Sequence, residues 1–245
     1  MSAHQASALL LVGHGAAAAE GGEGLRRLAA TLRARRLFAE VEPCFCRQPP
    51  LASLDLVRSP TVHVVPVFSA DGVFTRRIIP ERLGLCGPVS RIAGRRVLYS
   101  PPVGAHPAIP ALLARRARAF CRSRGLAPER TALVLAAHGS PRAEAPGTAT
   151  DIAAALERQG GFAEVAAGYL EQPPFLAAWP ALVSAADVIL LPLLLAEGRH
   201  AGQDLPALAA AAPPPGRRLW LLPGLGRDPA LSDIVLDLVA GGPPS

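Results

Sequence analysis

With 245 residues, half of them hydrophobic, the chain has apolar material for one large domain or for two of about 120 residues, yet no apolar run approaching the ~20 residues that cross a bilayer. The net charge is +6, and all 25 basic residues are arginine, a balance that favours an anionic ligand because a guanidinium fork bonds two carboxylate or phosphate oxygens at once. An aromatic content of 4%, with no basic run and no base-reading motif, argues against nucleic acid, and a start (Met1 to Ser7) without the basic-then-apolar order of a secretory signal makes the cytoplasm the expected location.

In chain order, short apolar runs bounded by Gly, Pro or polar residues predict strands at Ala8–Val12, Val41–Cys46, Val62–Phe68 and Arg96–Tyr99. Helical spacing covers Gly24–Arg36 and Ile109–Arg124, the second with Leu112, Leu113 and Phe120 on one side and arginines on the other. Gly125, Pro128 and the charges around them break the chain at Gly125–Arg130. The pattern then starts again, with strands at Thr131–Ala136, Glu164–Leu170, Val188–Leu193 and Arg218–Leu222 and helices at Thr148–Gln159, Phe175–Ser184, Asp204–Ala211 and Pro229–Val239. Continuous apolar strands such as Val188-Ile189-Leu190-Leu191 suit a sheet covered on both faces, and the crossovers are long enough for parallel pairing. The expected fold is α/β: two similar doubly wound domains with parallel sheets, over residues 1–126 and 127–245. Asp71 and Asp204 are expected to cap helices. Cys44, Cys46, Cys86 and Cys121 read as buried thiols of a reducing compartment, and the alternation of Cys44 and Cys46 turns both to one face of a strand.

The two halves are copies. Phe38-Ala39-Glu40-Val41 returns as Phe162-Ala163-Glu164-Val165, Gln48-Pro49-Pro50 as Gln172-Pro173-Pro174, and Gly13-His14-Gly15 as Ala137-His138-Gly139, each 124 positions on. Further along, Pro66, Gly72 and Pro80 return as Pro192, Gly198 and Pro206, 126 positions on. Where the copies differ, the difference is chemical: Glu171 and His200 of the second face Arg47 and Phe74 of the first. In open parallel sheets ligands bind beyond the carboxyl ends of the strands. There His138 follows the first strand of the second copy, Glu171 ends the second strand, and His200 lies in the loop after the third. Two imidazoles and a carboxylate suit a divalent transition metal. Taken singly, each has a plainer reading: a histidine bonded to a backbone carbonyl, a solvated loop histidine, a solvated carboxylate. Glu197 reads as a surface group or as a partner that orients an imidazole.

Leu133-Val134-Leu135-Ala136-Ala137-His138-Gly139-Ser140 and Leu191-Pro192-Leu193-Leu194-Leu195-Ala196-Glu197-Gly198-Arg199-His200, followed by Asp204-Leu205-Pro206, resemble the signature of the CbiX/SirB class II chelatases, over essentially the whole chain. The resemblance implies insertion of cobalt or ferrous iron into sirohydrochlorin for cobalamin or siroheme synthesis. The divalent metal is then a substrate and no organic cofactor is needed. Carried over, the family's two metal-binding histidines fall on His138 and His200, and its strand-end glutamate on Glu171. Long family members are expected to hold metal in the amino-terminal domain, whereas here that half keeps only His14, which reads as structural or substrate-lining. Arg76, Arg77 and Arg199, in equivalent loops, could meet the eight carboxylates of the tetrapyrrole.

A rival reading is a non-catalytic metal- or tetrapyrrole-binding protein descended from a chelatase. A phosphohydrolase with a His-Gly nucleophile wants an adjoining arginine, which Val12-Gly13 and Ala136-Ala137 do not supply. Gly21-Gly22-Glu23-Gly24 lacks the spacing of a phosphate loop, and no Gly-x-Ser-x-Gly elbow is present.

Overall fold

A computed structural model describes residues 4–15, 22–139, 148–195 and 203–242. In chain order the first half holds Ser7–Gly13 (β1), Glu23–Ala34 (α1), Glu40–Phe45 (β2), Thr61–Pro66 (β3), a π-helical turn over Phe74–Ile78 that runs into Ile79–Leu83 (α2), Val89–Ile92 (β4), Arg95–Tyr99 (β5) and Ile109–Arg124 (α3). The second holds Thr131–Ala137 (β6), Thr148–Gln159 (α4), Glu164–Tyr169 (β7), Trp179–Leu182 (α5), Asp187–Pro192 (β8), Leu205–Ala210 (α6), Arg218–Leu221 (β9) and Leu231–Ala240 (α7).

The strands form two sheets, ordered β2-β1-β3-β5-β4 and β7-β6-β8-β9. All pairings are parallel except that of β4 with β5. This is the expected pair of doubly wound α/β domains, and in each the strand order reverses beside the first strand. β1 is buried at every residue, as a strand covered on both faces must be. Its Ala8, Leu10 and Val12 share one core with Val62, Val64 and Val97, while Ala132, Val134 and Ala136 of β6 share another with Val188 and Leu190. Among the described residues no helix is long and apolar enough to cross a membrane.

The repeated Phe-Ala-Glu segments have a structural task. Glu40 accepts from the Arg58 and Ser59 amides and the Ser59 hydroxyl, and Glu164 from the Ser184 and Ala185 amides and the Ser184 hydroxyl, at 2.6–3.0 Å. Burial pushes each carboxyl up, but these donors outweigh it and hold both below the usual carboxylate range.

Several expectations are corrected. The strand β4 was not foreseen; it is joined to β5 by a two-residue turn, Ala93-Gly94, with φ of 47° and 78°. Such a turn needs positive φ at both positions, and alanine gives little signal for it. The helix expected over Phe175–Ser184 shrinks to a 3-10 turn, Leu176–Ala178, and α5, because Pro180 has no amide to donate to the preceding turn. Asp204 makes no side-chain cap bond to α6. Cys44, Cys46 and Cys121 are buried and the first two share one core, but Cys86 is exposed.

The compact units interleave segments of the two halves. One combines the chain up to His106 with Leu195 and the segment from Gly226 onward; the other combines Pro107–Leu194 with the chain up to Leu225. Helix α3 thus packs on α4 and β8 of the second unit, and α7 on α1 and β3 of the first. Arg35, after α1, bonds Asp233 at 2.6 Å and Ser232 at 2.8 Å. The apolar face of a helix goes to whichever sheet it can cover, and the order of elements along the chain does not say which.

His63 on β3 is 7% exposed, edge-on to His4 at 5.0 Å between ring centres. Burial, helped by the charges of His4 and Arg96, pulls its pKa down to about 4. Below the ordinary histidine value of about 6.5 the unfolded chain takes up a proton that the folded chain refuses, so this term costs stability as pH falls from there toward 4, by about 3 kcal/mol in full. Denaturant midpoints at pH 7 and pH 4.5 should therefore diverge less in His63→Leu than in the unsubstituted chain; equal divergence would remove His63 as the cause.

Candidate active site

In the second unit β6 ends at Ala137, and the ladder between β6 and β7 continues beyond both strands. The Leu170 amide donates to the Ala137 carbonyl and the Glu171 amide to the His138 carbonyl, each at 3.0 Å. These bonds clamp residues 138 and 171 side by side, and the side chains follow: His138 Nδ1 lies 3.6 Å from Glu171 Oε2. Nδ1 also lies 3.0 Å from the carbonyl oxygen of Gly139. A carbonyl and a carboxylate only accept, so the proton of a neutral imidazole sits on Nδ1 and the lone pair on Nε2, the form that binds a divalent cation. Both side chains are nearly half exposed, 45% and 44%, and accessible to a ligand.

The glycine after the histidine is required. Gly139 has φ +78°, and a Cβ there would stand 2.9 Å from Gln172 Cγ and 3.1 Å from Tyr169 Cβ. Gly15, with φ +77°, is in the same position against Gln48 and Phe45.

His200, Arg199 and Glu197 lie outside the described residues. Among the described residues no three His, Cys, Asp or Glu side chains gather as a metal set. Of the expected trio, the structure brings His138 and Glu171 together.

The first unit has the same backbone scaffold and different chemistry. The Arg47 amide donates to the His14 carbonyl at 3.1 Å, and His14 Nδ1 lies 2.7 Å from the Gly15 carbonyl oxygen. Here, however, the ring of Phe74 packs edge-on against His14 at 4.5 Å between centres, and Phe68 stacks on Phe74 at 5.8 Å. The Arg47 guanidinium carbon stands 5.3 Å from the centre of the Phe74 ring. Where the second unit has a carboxylate beside its histidine, the first has a cation and an aromatic cluster.

Arg76 and Arg77 are exposed, and each is engaged within its own segment: Arg76 Nε with Asp71 at 2.7 Å, Arg77 Nε with Glu81 at 3.0 Å. Asp71 also accepts from Thr75, so it holds the start of the π-helical turn through side chains.

One feature was missed in the sequence. At the strand ends of the second unit Pro192, Leu205, Leu221, Leu222, Pro223 and Gly224 line an apolar recess of about 260 Å³. By register the first-unit counterpart of Leu221 is Tyr99, whose hydroxyl donates to the Thr75 carbonyl at 2.6 Å. The exchange of a tyrosine for a leucine between copies was the available signal.

The CbiX family model matches the chain twice, over residues 8–119 and 132–241. A curated relative, a probable sirohydrochlorin cobaltochelatase of Halobacterium salinarum, is 25% identical over 265 residues, or 95% of this chain and 90% of its own. Among solved structures, DR2241 from Deinococcus radiodurans, a multi-domain protein with structural similarity to chelatases and two additional novel domains, matches with a TM-score of 0.80 and 32% identity over 96% of this chain; the chain spans 54% of its length. CbiX, the terminal enzyme for biosynthesis of siroheme in denitrifying bacteria, matches with a TM-score of 0.73 and 29% identity over 96% of this chain and 98% of its own. SirB from Bacillus subtilis with Fe3+, at 20% identity and a TM-score of 0.72 over 96% of this chain and 94% of its own, shares the fold.

Proposed function

Because the chain belongs to the CbiX family, we propose that it is a metal chelatase that inserts cobalt or ferrous iron into sirohydrochlorin or a related anionic tetrapyrrole, for cobalamin or siroheme synthesis in the cytoplasm. The centre belongs to the second repeat. His138 and His200 hold the incoming ion, and Glu171 accepts ring protons or helps pass the ion on. Insertion must remove two protons from pyrrole nitrogens, so a base beside the ring is needed, and a carboxylate next to a metal-binding imidazole supplies one.

The observation that carries this reading is the clamped pair, with the Glu171 carboxylate 3.6 Å and the Gly139 carbonyl oxygen 3.0 Å from His138 Nδ1. Support for His200 comes from the other copy: Phe74, which occupies the same place in the repeat, reaches to 4.5 Å from the ring of His14. The relatives named as a sirohydrochlorin cobaltochelatase and as the terminal enzyme of siroheme biosynthesis support the same substrate. The apolar recess adds a surface suited to the edge of a macrocycle.

Loss of the first copy's ligands favours a second reading, storage of metal or tetrapyrrole without turnover. One experiment separates the two. The purified protein is incubated with sirohydrochlorin and, in separate runs, cobalt, ferrous iron or nickel, while the absorption bands of the ring are followed. Insertion at least about tenfold faster than without protein, with one or more of the metals, supports the chelatase. Rates equal to the protein-free control refute it, and tight binding of ring or metal at those rates supports storage.

A further inference from the structure

In the first unit the scaffold that holds a carboxylate beside histidine in the second holds a guanidinium instead. We propose that this edge is a carboxylate-binding site built around Arg47: the first repeat has exchanged recognition of a cation for recognition of an anion. The ligand class is a flat polyacid, to which the proposed tetrapyrrole belongs, so the identity of the natural ligand rests on that reading.

Five observations converge. The Arg47 backbone is fixed by its amide bond to the His14 carbonyl at 3.1 Å. Its guanidinium lies over Phe74, which is itself wedged against His14 and Phe68, so the charge is held above an anchored ring. A guanidinium held by its charge over a ring keeps N–H donors for a planar acceptor, and a carboxylate matches that fork with two oxygens. Among the described residues no carboxylate pairs with Arg47, whereas Arg76 and Arg77 of the same unit are engaged by Asp71 and Glu81. Arg82, which donates to the Cys46 carbonyl at 2.6 Å, adds positive charge beside it. Val73, next to Phe74, is 66% exposed and offers apolar surface to a ring that carries acidic arms.

Two of the differences between the copies serve this change. Glutamate to arginine at position 47 reverses the sign of the group beside the histidine. Histidine to phenylalanine at position 74 removes a metal ligand and supplies the ring on which the guanidinium rests.

The test uses the full chain without metal and two probes: mellitate, a benzene ring carrying six carboxylates, followed by calorimetry, and sirohydrochlorin, followed by fluorescence. Arg47→Gln should weaken both by about tenfold, and Arg47→Lys by about threefold, since lysine keeps the charge and loses the fork. Arg91→Gln, which removes the same charge from β4, should stay within about twofold and so account for net charge. Arg47 is exposed, and circular dichroism with denaturant midpoints confirms that each variant is folded. If Arg47→Gln binds both probes as the unsubstituted chain does, the site is overturned. It is also overturned if Arg91→Gln weakens binding equally, or if inorganic phosphate displaces mellitate at equal concentration. Loss of mellitate binding in Arg47→Gln, in a protein that neither binds nor metallates sirohydrochlorin, supports the site and refutes the chelatase reading instead.

Discussion

His200→Ala should lower the rate of metal insertion by about a hundredfold or more, as should His138→Ala, and the double variant should be hardly worse than either. Two imidazoles that grip one ion act as a unit, so removing the first forfeits most of what removing both would. Loss of a partner that merely orients a metal ligand costs about 10- to 100-fold, and loss of a ligand itself should cost no less. Phe74→Ala, at the equivalent position of the first copy, should mainly change the Michaelis constant for the tetrapyrrole, because that ring orients the group proposed to recognise the ligand's acids. Initial rates by ring absorbance, over a range of metal and tetrapyrrole concentrations, separate these effects. Near-normal turnover in His200→Ala would sink the assignment of the centre to the second repeat.

The chain should bind one divalent cobalt, and His138→Ala should remove it. The double variant R47E/F74H should bind a second ion. Positions 14 and 47 are clamped by the same backbone bond as 138 and 171, at 3.1 and 3.0 Å, and position 74 already reaches the His14 ring. Restoring the two side-chain types on that scaffold brings two imidazoles and a carboxylate together, a set that suits cobalt. In the unsubstituted chain the Arg47 guanidinium repels a cation from the same spot. Calorimetry with cobalt alone reads the stoichiometry without reference to turnover. Two ions on the unsubstituted chain, or one on the double variant, would show that the copies are not the interchangeable scaffolds described.

Much of this was legible in the residues. β1 and β6 are apolar runs with one place to go, the middle of a covered sheet, and residues just past their ends must emerge at the ligand-binding edge. The adjacency of His138 and Glu171 follows once β7 lies beside β6. The repeat also identified positions 47 and 74 as those where chemistry had changed, although the change first read as loss. Its sense as a reversal of charge needed the geometry: Arg47 lies over Phe74, and the two arginines that had looked more available are engaged by Asp71 and Glu81. The hairpin at Ala93-Gly94 left too faint a signal because alanine is not a usual residue at positive φ. The allocation of α3 and α7 was invisible for a deeper reason. A helix with one apolar stripe is equally satisfied by any sheet that lacks a cover, and only the lengths and directions of the connections decide between two similar ones.

That allocation has a consequence for descent. A polypeptide carrying a single copy would leave part of one side of its sheet uncovered beside its own helix while holding the missing cover on its tail, so it could hide that part by trading tails with a twin. Joining two such twins end to end makes the trade permanent and lets one gene encode both parties. Once fused, the partners no longer need to remain identical: one can keep an inherited grip on metal while its sibling is free to take up a different task.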